Sequence, residues 1–209
     1  MTAQILVVLT RLVSGAQVRW AGVQPEGRQR IYFGNHTSHL DAVVIWAALP
    51  ADVRARTRPV AARDYWERGR LRRWIAAEVL HVILVDRGTA PGPKSAATVS
   101  AARDTVGRVA AGLGAGHSLI LFPEGTRGPG PDVGPFKSGL YHLVGLRPDV
   151  ELVPVYIDNL NRILPKGALL PVPLLSSVTF GPALRLAPGE AKDAFLSRMR
   201  EALLALRPQ

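Results

Sequence analysis

Two hydrophobic periods take turns along this chain. Ile5, Leu9, Leu12, Val13, Ala16 and Trp20 fall on one face at helical spacing, predicting an amphipathic helix over residues 1–20. Arg30-Ile31-Tyr32-Phe33 reads as a short strand, Gly34-Asn35 as a turn and Asp41 to Leu49 as a helix. Arg58–Ala62 and His81–Val85 are predicted strands, separated by a helix over Asp64–Leu80 that carries Trp66, Leu71, Trp74 and Ile75. Ala90-Pro91-Gly92-Pro93 breaks the chain, and an alanine-rich helix over Ser95–Leu113 ends at Gly114 and Gly116. A buried strand over Ser118–Phe122 follows, then a loop over 128–131, a helix over Ser138–Leu146 and a strand over Glu151–Ile157. Pro165–Pro173 is irregular, Ser176–Phe180 reads as a strand, and Glu190–Leu206 closes as an amphipathic helix. Strands alternating with helices predict an α/β fold, a single domain with a mostly parallel twisted sheet flanked by helices. An amphipathic N-terminal helical segment, residues 1–25, precedes the main domain of residues 26–209, and its apolar face either packs on the core or attaches to a membrane surface.

Composition narrows the chemistry. At 209 residues and 47% hydrophobic content the chain suffices for one domain with a core. The absence of cysteine excludes disulfides, zinc-thiolate sites, iron–sulfur clusters and a cysteine nucleophile. No stretch approaches the roughly 18–20 apolar residues of a spanning helix, and Arg11 comes too late for a secretory leader, so the cytoplasm is the expected compartment. The net charge is +10, and 22 of the 26 basic residues are arginine. That balance predicts an anionic partner: nucleic acid, an anionic membrane surface or a phosphorylated substrate.

Four segments at strand ends carry the candidate chemistry. In Asn35-His36-Thr37-Ser38-His39-Leu40-Asp41, a turn entering the helix can bring Asp41 to the His36 imidazole. A carboxylate-oriented imidazole, whose ordinary pKa is about 6.5, is a general base. The same residues also read as a Ser38–Asp41 helix capping box, or as a pair of metal ligands, His36 and His39, though no further His or Cys cluster supports the latter. In Phe122-Pro123-Glu124-Gly125-Thr126-Arg127, Pro and Gly shape a turn whose N–H groups can form an anion nest beside the Arg127 fork; a Glu124–Arg127 pair stabilising the turn is the alternative. Lys137, in Phe136-Lys137-Ser138-Gly139, adds a cation near the same mouth. Val82 to Arg87 ends an apolar strand in an arginine that meets either a phosphate or a carboxylate such as Asp86. Leu152 to Ile157 carries no reactive group and builds a wall.

Taken in this order, His36 with Asp41, Ile83–Arg87, Phe122–Arg127 and Val153–Ile157 resemble the four sequence blocks of the glycerolipid acyltransferase superfamily, which includes the lysophosphatidic acid acyltransferases. The resemblance runs from Tyr32 to Ile157; Asn159-Leu160-Asn161-Arg162 and Pro165-Lys166-Gly167 look like an extension of bacterial members. It implies that residues 26–209 are an acyltransferase domain. It further implies transfer of a fatty acyl group from an acyl-CoA or acyl carrier protein thioester to the free hydroxyl of a lysophospholipid. The acceptor it favours is 1-acyl-glycerol-3-phosphate, giving phosphatidic acid; glycerol-3-phosphate or another lysophospholipid is the alternative. By the same resemblance His36 is the base and Asp41 orients it. Glu124, Gly125, Thr126 and Arg127 match the acceptor-phosphate block, with Arg87 and Lys137 sharing that role. Since a thioester is already activated, an oriented base and oxyanion donors suffice, with no cofactor and no metal expected. Direct attack by the alcohol is simpler than an acyl-enzyme on Ser38. Two departures stand out: relatives often carry longer hydrophobic N-terminal segments, and Gly128 stands where a serine often follows the third block.

Arg54, Arg56, Arg58, Arg63, Arg68, Arg70, Arg72 and Arg73 crowd the region between the first two blocks, with Trp66 and Trp74 eight residues apart among them. Basic residues flanking aromatic ones suit a lipid headgroup interface or the phosphates of an acyl donor; a solvated face with core-facing tryptophans is the alternative. The expected placement is cytoplasmic, peripheral to the cytoplasmic membrane. A nucleic-acid-binding domain rests on charge alone, without a recognisable motif, and no nucleic acid partner is expected. A thioester hydrolase, with water replacing the alcohol, is a third class.

Overall fold

Side chains alternate across the central strands, and each strand feeds two cores. The computed structural model describes residues 2–86, 96–114, 116–128, 132–160 and 176–208. In chain order the elements are α1 (Thr2–Ser14), β1 (Gln17–Trp20), β2 (Arg30–Gly34), α2 (Asp41–Ala48), α3 (Ala51–Ala55), β3 (Thr57–Ala62), α4 (Arg63–Trp66), α5 (Arg70–Trp74, running into a π-helical turn, Ile75–Val79) and β4 (Ile83–Val85). They continue with α6 (Ala96–Leu113), β5 (Ser118–Leu121), α7 (Gly139–Leu146), β6 (Glu151–Asp158), β7 (Ser177–Phe180) and α8 (Lys192–Leu204).

The seven strands lie in the order β1-β7-β6-β2-β5-β3-β4, and every neighbouring pair is parallel except β6–β7. Tyr32, Ile120, Val153, Val155 and Ile157 face the layer holding α1 and α2, while Ile31, Phe33, Leu119, Leu152 and Tyr156 face α6, α7 and α8. Period-two alternation between two apolar layers is what a doubly covered sheet requires. Helix α2 is buried at every residue from Asp41 to Ala48, in keeping with a segment apolar all round. The α/β class, the single mostly parallel sheet and the flanking helices are as the periodicity predicts. Among the described residues no helix is long and apolar enough to cross a membrane.

Three expectations are corrected. The N-terminal helix ends at Ser14, with Gly15 at φ 55°, and Gln17–Trp20 is instead an edge strand paired in parallel with β7. Ala16 and Trp20 therefore leave the helical face, and Trp20 stacks on Phe180 at 4.0 Å. The face that packs is Ala3, Leu6, Val7, Thr10 and Ser14, whereas Ile5, Val8, Leu9, Leu12 and Val13 are exposed. The single helix expected over 64–80 is broken: Gly69 adopts φ 90° between α4 and α5, and a π turn follows. Trp66 is consequently buried and Trp74 exposed, not on one shared face. The break at 90–93, the irregular stretch Pro165–Pro173 and most of the 159–167 extension lie outside the described residues.

Candidate active site

Because β2, β3, β4, β5 and β6 are mutually parallel, the segments leaving β2 and β5 emerge side by side at one edge of the sheet. That carboxyl edge, where the chain leaves β2 toward β3 on one side and leaves β5 toward β6 on the other, is where α/β folds bind ligands. Gly34 closes β2 in a space without room for a side chain: a Cβ there would lie 3.0 Å from the Val155 carbonyl oxygen and 3.4 Å from the Phe122 ring. Asn35 then imitates a strand residue. Its Nδ2 donates to the Ile157 carbonyl and its Oδ1 accepts the Ile157 N–H, both at 2.8 Å, locking the loop to β6.

The next residue, His36, is held on four sides. Its Nδ1 lies 2.8 Å from Asp41 Oδ2, and its ring stacks on Phe122 with centroids 4.3 Å apart. Its main-chain N–H donates to Glu124 Oε1 at 2.9 Å, and its carbonyl accepts the Gly128 N–H at 3.0 Å. Asp41 Oδ2 also accepts the N–H groups of Thr37 at 2.7 Å and Ser38 at 2.8 Å. Two main-chain N–H donors already fix Oδ2 as an acceptor, which assigns the shared hydrogen to Nδ1 and leaves Nε2 its lone pair. The imidazole is still 24% exposed while Asp41 is fully buried. Burial pushes the Asp41 carboxyl above the usual carboxylate range, against the hydrogen bonds from His36, Ser38 and Thr37 that favour its ionised form.

The capping box forms only in part: Leu40, not Ser38, precedes the helix, and no side chain caps its first turn. Asp41 reaches back to the Ser38 N–H as a capping acid does, and Ser38 Oγ accepts the Leu40 N–H at 3.3 Å, while the same carboxylate orients His36. His39 does not join His36: its Nε2 accepts from Arg127 Nη1 at 2.6 Å, and its ring stacks on Tyr65 at 4.2 Å. Among the described residues no group of three or more acidic or histidine side chains is placed to hold a metal.

The second loop, Phe122–Gly128, faces the first. Gly125 has φ 69°, which favours glycine, and the flexible Lys137 side chain lies against it, 2.7 Å from where a Cβ would sit. Lys137 donates its main-chain N–H to the Pro123 carbonyl at 2.8 Å, and its side chain lies across the Gly125 turn. Thr126, Arg127 and Lys137 are exposed at this mouth. Glu124 is buried, its carboxylate bridging two main-chain N–H groups, His36 through Oε1 and Gly134 through Oε2 at 2.8 Å. Arg87 lies outside the described residues. Its neighbour Asp86 pairs with Arg63 at 3.0 Å and Arg108 at 3.4 Å.

The arginine cluster divides by role. Arg54 is buried, donating to the Leu49 carbonyl at 2.9 Å, and Arg63 is paired with Glu67 and Asp86. Arg68, Arg70, Arg72 and Arg73 are exposed around Leu71 and Trp74. Asn35 and Phe122 were missed as site-building residues in the sequence. The available signals were an asparagine directly before the histidine at a strand's end and an aromatic residue ending the partner strand.

Residues 16–158 match the family model described as Acyltransferase. A 1-acyl-sn-glycerol-3-phosphate acyltransferase from Limnanthes douglasii is 28% identical over 165 residues, covering 78% of this chain and 53% of that protein. Its counterpart from Limnanthes alba is 29% identical over 163 residues, covering 77% of this chain and 52% of that protein. The chain thus spans about half the length of these curated relatives. Among solved structures, the 1-acyl-sn-glycerophosphate (LPA) acyltransferase PlsC from Thermotoga maritima superposes with a TM-score of 0.70 over 99% of this chain and 81% of its own. At 18% identity that likeness shows a shared fold.

Proposed function

Since the chain belongs to the acyltransferase family, we propose that it transfers a fatty acyl group from an acyl-CoA or acyl carrier protein thioester to a lysophospholipid hydroxyl. The favoured acceptor is 1-acyl-glycerol-3-phosphate, giving phosphatidic acid, in line with the activity for which the Limnanthes relatives are named. One observation carries the reading: a buried carboxylate 2.8 Å from Nδ1 of a partly exposed imidazole, at the carboxyl edge of a parallel sheet and beside a cationic turn.

His36 Nε2 takes the acceptor hydroxyl proton as its oxygen attacks the thioester carbonyl carbon. The tetrahedral oxyanion collapses, the C–S bond breaks, and the departing thiolate recovers the proton from the imidazolium. Asp41 stabilises that imidazolium during the interval. Arg127 and Lys137 supply positive potential for the acceptor phosphate beside the Gly125–Thr126 turn, whose Gly125 N–H is taken up by the Phe122 carbonyl at 3.0 Å, and Arg87 is proposed to share that role.

The acceptor and the acyl chain are lipids, and the exposed stripe Ile5, Val8, Leu9, Leu12 and Val13 on α1, with Leu71 and Trp74 amid exposed arginines, suits an anionic membrane surface. We therefore place the protein peripherally on the cytoplasmic membrane. The test is purified protein incubated with a matrix of acyl thioesters and lysophospholipids, with products read by lipid mass spectrometry. Diacyl product that disappears in His36→Ala at nearly unchanged thermal stability is expected. Transfer retained by that variant overturns the assignment of the base. Fatty acid released regardless of acceptor points instead to a thioester hydrolase.

A further inference from the structure

Resemblance groups Glu124 with the residues that hold the acceptor phosphate, yet a carboxylate repels a phosphate, and both of its oxygens already have partners. Oε1 accepts the main-chain N–H of His36 at 2.9 Å, and Oε2 accepts that of Gly134 at 2.8 Å, with the side chain itself buried. The need for such a partner follows from the fold. The ladder of β2 ends at Gly34, and Asn35 extends it one residue by pairing with Ile157. His36 is therefore the first residue beyond the sheet's own hydrogen bonds, and a partly buried N–H there needs an acceptor from elsewhere. Glu124 provides it, Gly128 satisfies the carbonyl of the same residue, and Phe122 stacks on its ring. Three residues of one loop thus grip the backbone and the imidazole of another.

We propose that Glu124 is a positioning residue for the catalytic base rather than a contact of the acceptor phosphate: its carboxylate ties the His36 main chain to the Gly134 loop and so sets where Nε2 meets the acceptor hydroxyl. The inference rests on His36 being the base, as proposed above. A carboxylate is suited to this bridge because it accepts at both oxygens. A glutamine would turn an N–H donor toward one of two main-chain donors and leave that pair unsatisfied. Gly134 offers a second handle on the same atom, since a Cβ there would lie 3.1 Å from Oε2 and push the carboxylate without removing it.

The test is steady-state kinetics of the full chain with Glu124→Gln, Gly134→Ala and His36→Ala, using lysophosphatidate as varied acceptor at saturating acyl thioester. Displacing a reacting group by about 1 Å costs on the order of a hundredfold, so Glu124→Gln is expected to lower kcat about 10- to 100-fold. Acceptor KM should stay within about twofold, because a lost positioning contact spares ground-state binding. Gly134→Ala should move kcat in the same direction by less. A Glu124→Gln protein whose acceptor KM changes at constant kcat identifies a substrate contact and overturns the proposal, as do two variants that both behave like the unaltered protein. If Glu124→Gln fails to fold, Gly134→Ala decides by the same kcat-against-KM criterion. Failure of the underlying reading looks different: His36→Ala then keeps its turnover, and the inference falls with it.

Discussion

Three donors converge on one oxygen of Asp41, while the other, Oδ1, is buried with no hydrogen-bond partner among the described residues. This asymmetry separates the residue's structural work from its electrostatic work. An asparagine can put its carbonyl oxygen where Oδ2 sits, and it removes a buried charge. Burial raises the folded-state pKa of Asp41 above its unfolded value, so between the two values the folded protein holds more protons than the unfolded chain. The destabilisation from the ionised group is absent below the unfolded pKa and is fully present once pH passes the folded one. Asp41→Asn removes the buried charge but sets an Nδ2 donor in the partnerless Oδ1 position, so it is expected to melt close to the unaltered protein at pH 7, while kcat falls by up to about 10⁴-fold, as when a catalytic histidine loses its carboxylate. Thermal melts and turnover on the same preparation check both halves. A large loss of stability with turnover intact would show that Asp41 serves only as a cap. At this scale the sequence pointed to His36 and Asp41 through their spacing. The partners of Glu124 were illegible because a loop ten residues downstream supplies one of them and a loop 88 residues upstream the other.

Helix α1 shows why an apolar pattern can be legible while its orientation is not. Ile5 to Leu9 is an unbroken apolar run, so the period alone does not distinguish the side that meets α2 from the side that faces outward. Gly15 ends the helix before Ala16 and Trp20, two of the positions that defined the expected face. What remains outside is a stripe whose outermost member, Leu12, is 75% exposed. Leu12→Asp should change folding stability by no more than about 0.5 kcal/mol, the range of an ordinary surface substitution. It should nevertheless weaken sedimentation with vesicles of anionic phospholipid, because it places a negative charge where the stripe would enter the headgroup layer. Unchanged sedimentation would remove α1 from the membrane-facing surface. Between α4 and α5, the positive φ of Gly69 divides what reads as one continuous helix, since a glycine inside a helical pattern is tolerated by periodicity but not marked by it.

Across the whole molecule, the proposed active site and a buried ion pair sit at opposite ends of the sheet. His36 follows the end of β2, whereas Arg30 and Glu151 face each other where β2 and β6 begin. Arg30 is 3% exposed and pairs with Glu151 at 3.1 Å, with Arg28 at 3.4 Å and Arg185 at 3.3 Å on the other carboxylate oxygen. Burial raises the Glu151 pKa, but the surrounding guanidinium groups outweigh it and hold the carboxyl below its ordinary range. A depressed folded pKa contributes stability that is present above the unfolded value of about 4.3 and is lost as pH falls through the folded one. Glu151→Ala, which leaves buried Arg30 only the Gln24 carbonyl at 2.6 Å and the Glu26 carboxylate at 4.0 Å, should cost about 3 kcal/mol in urea unfolding at pH 7, the low end for breaking a buried pair. The gap should narrow in acid, and turnover per folded molecule should persist; an equal gap at both pH values would contradict the linkage. By itself the sequence determined the layered α/β class, the strands of the sheet core and a spacing that can bring Asp41 to His36, because periodicity and spacing are local properties of the chain. Only the tertiary structure decided which face of α1 is buried, that Trp66 and Trp74 part company, and that the Glu124 carboxylate grips the main chain of His36. Those depend on which loops parallel pairing brings to the same edge, a long-range relation that no local pattern encodes.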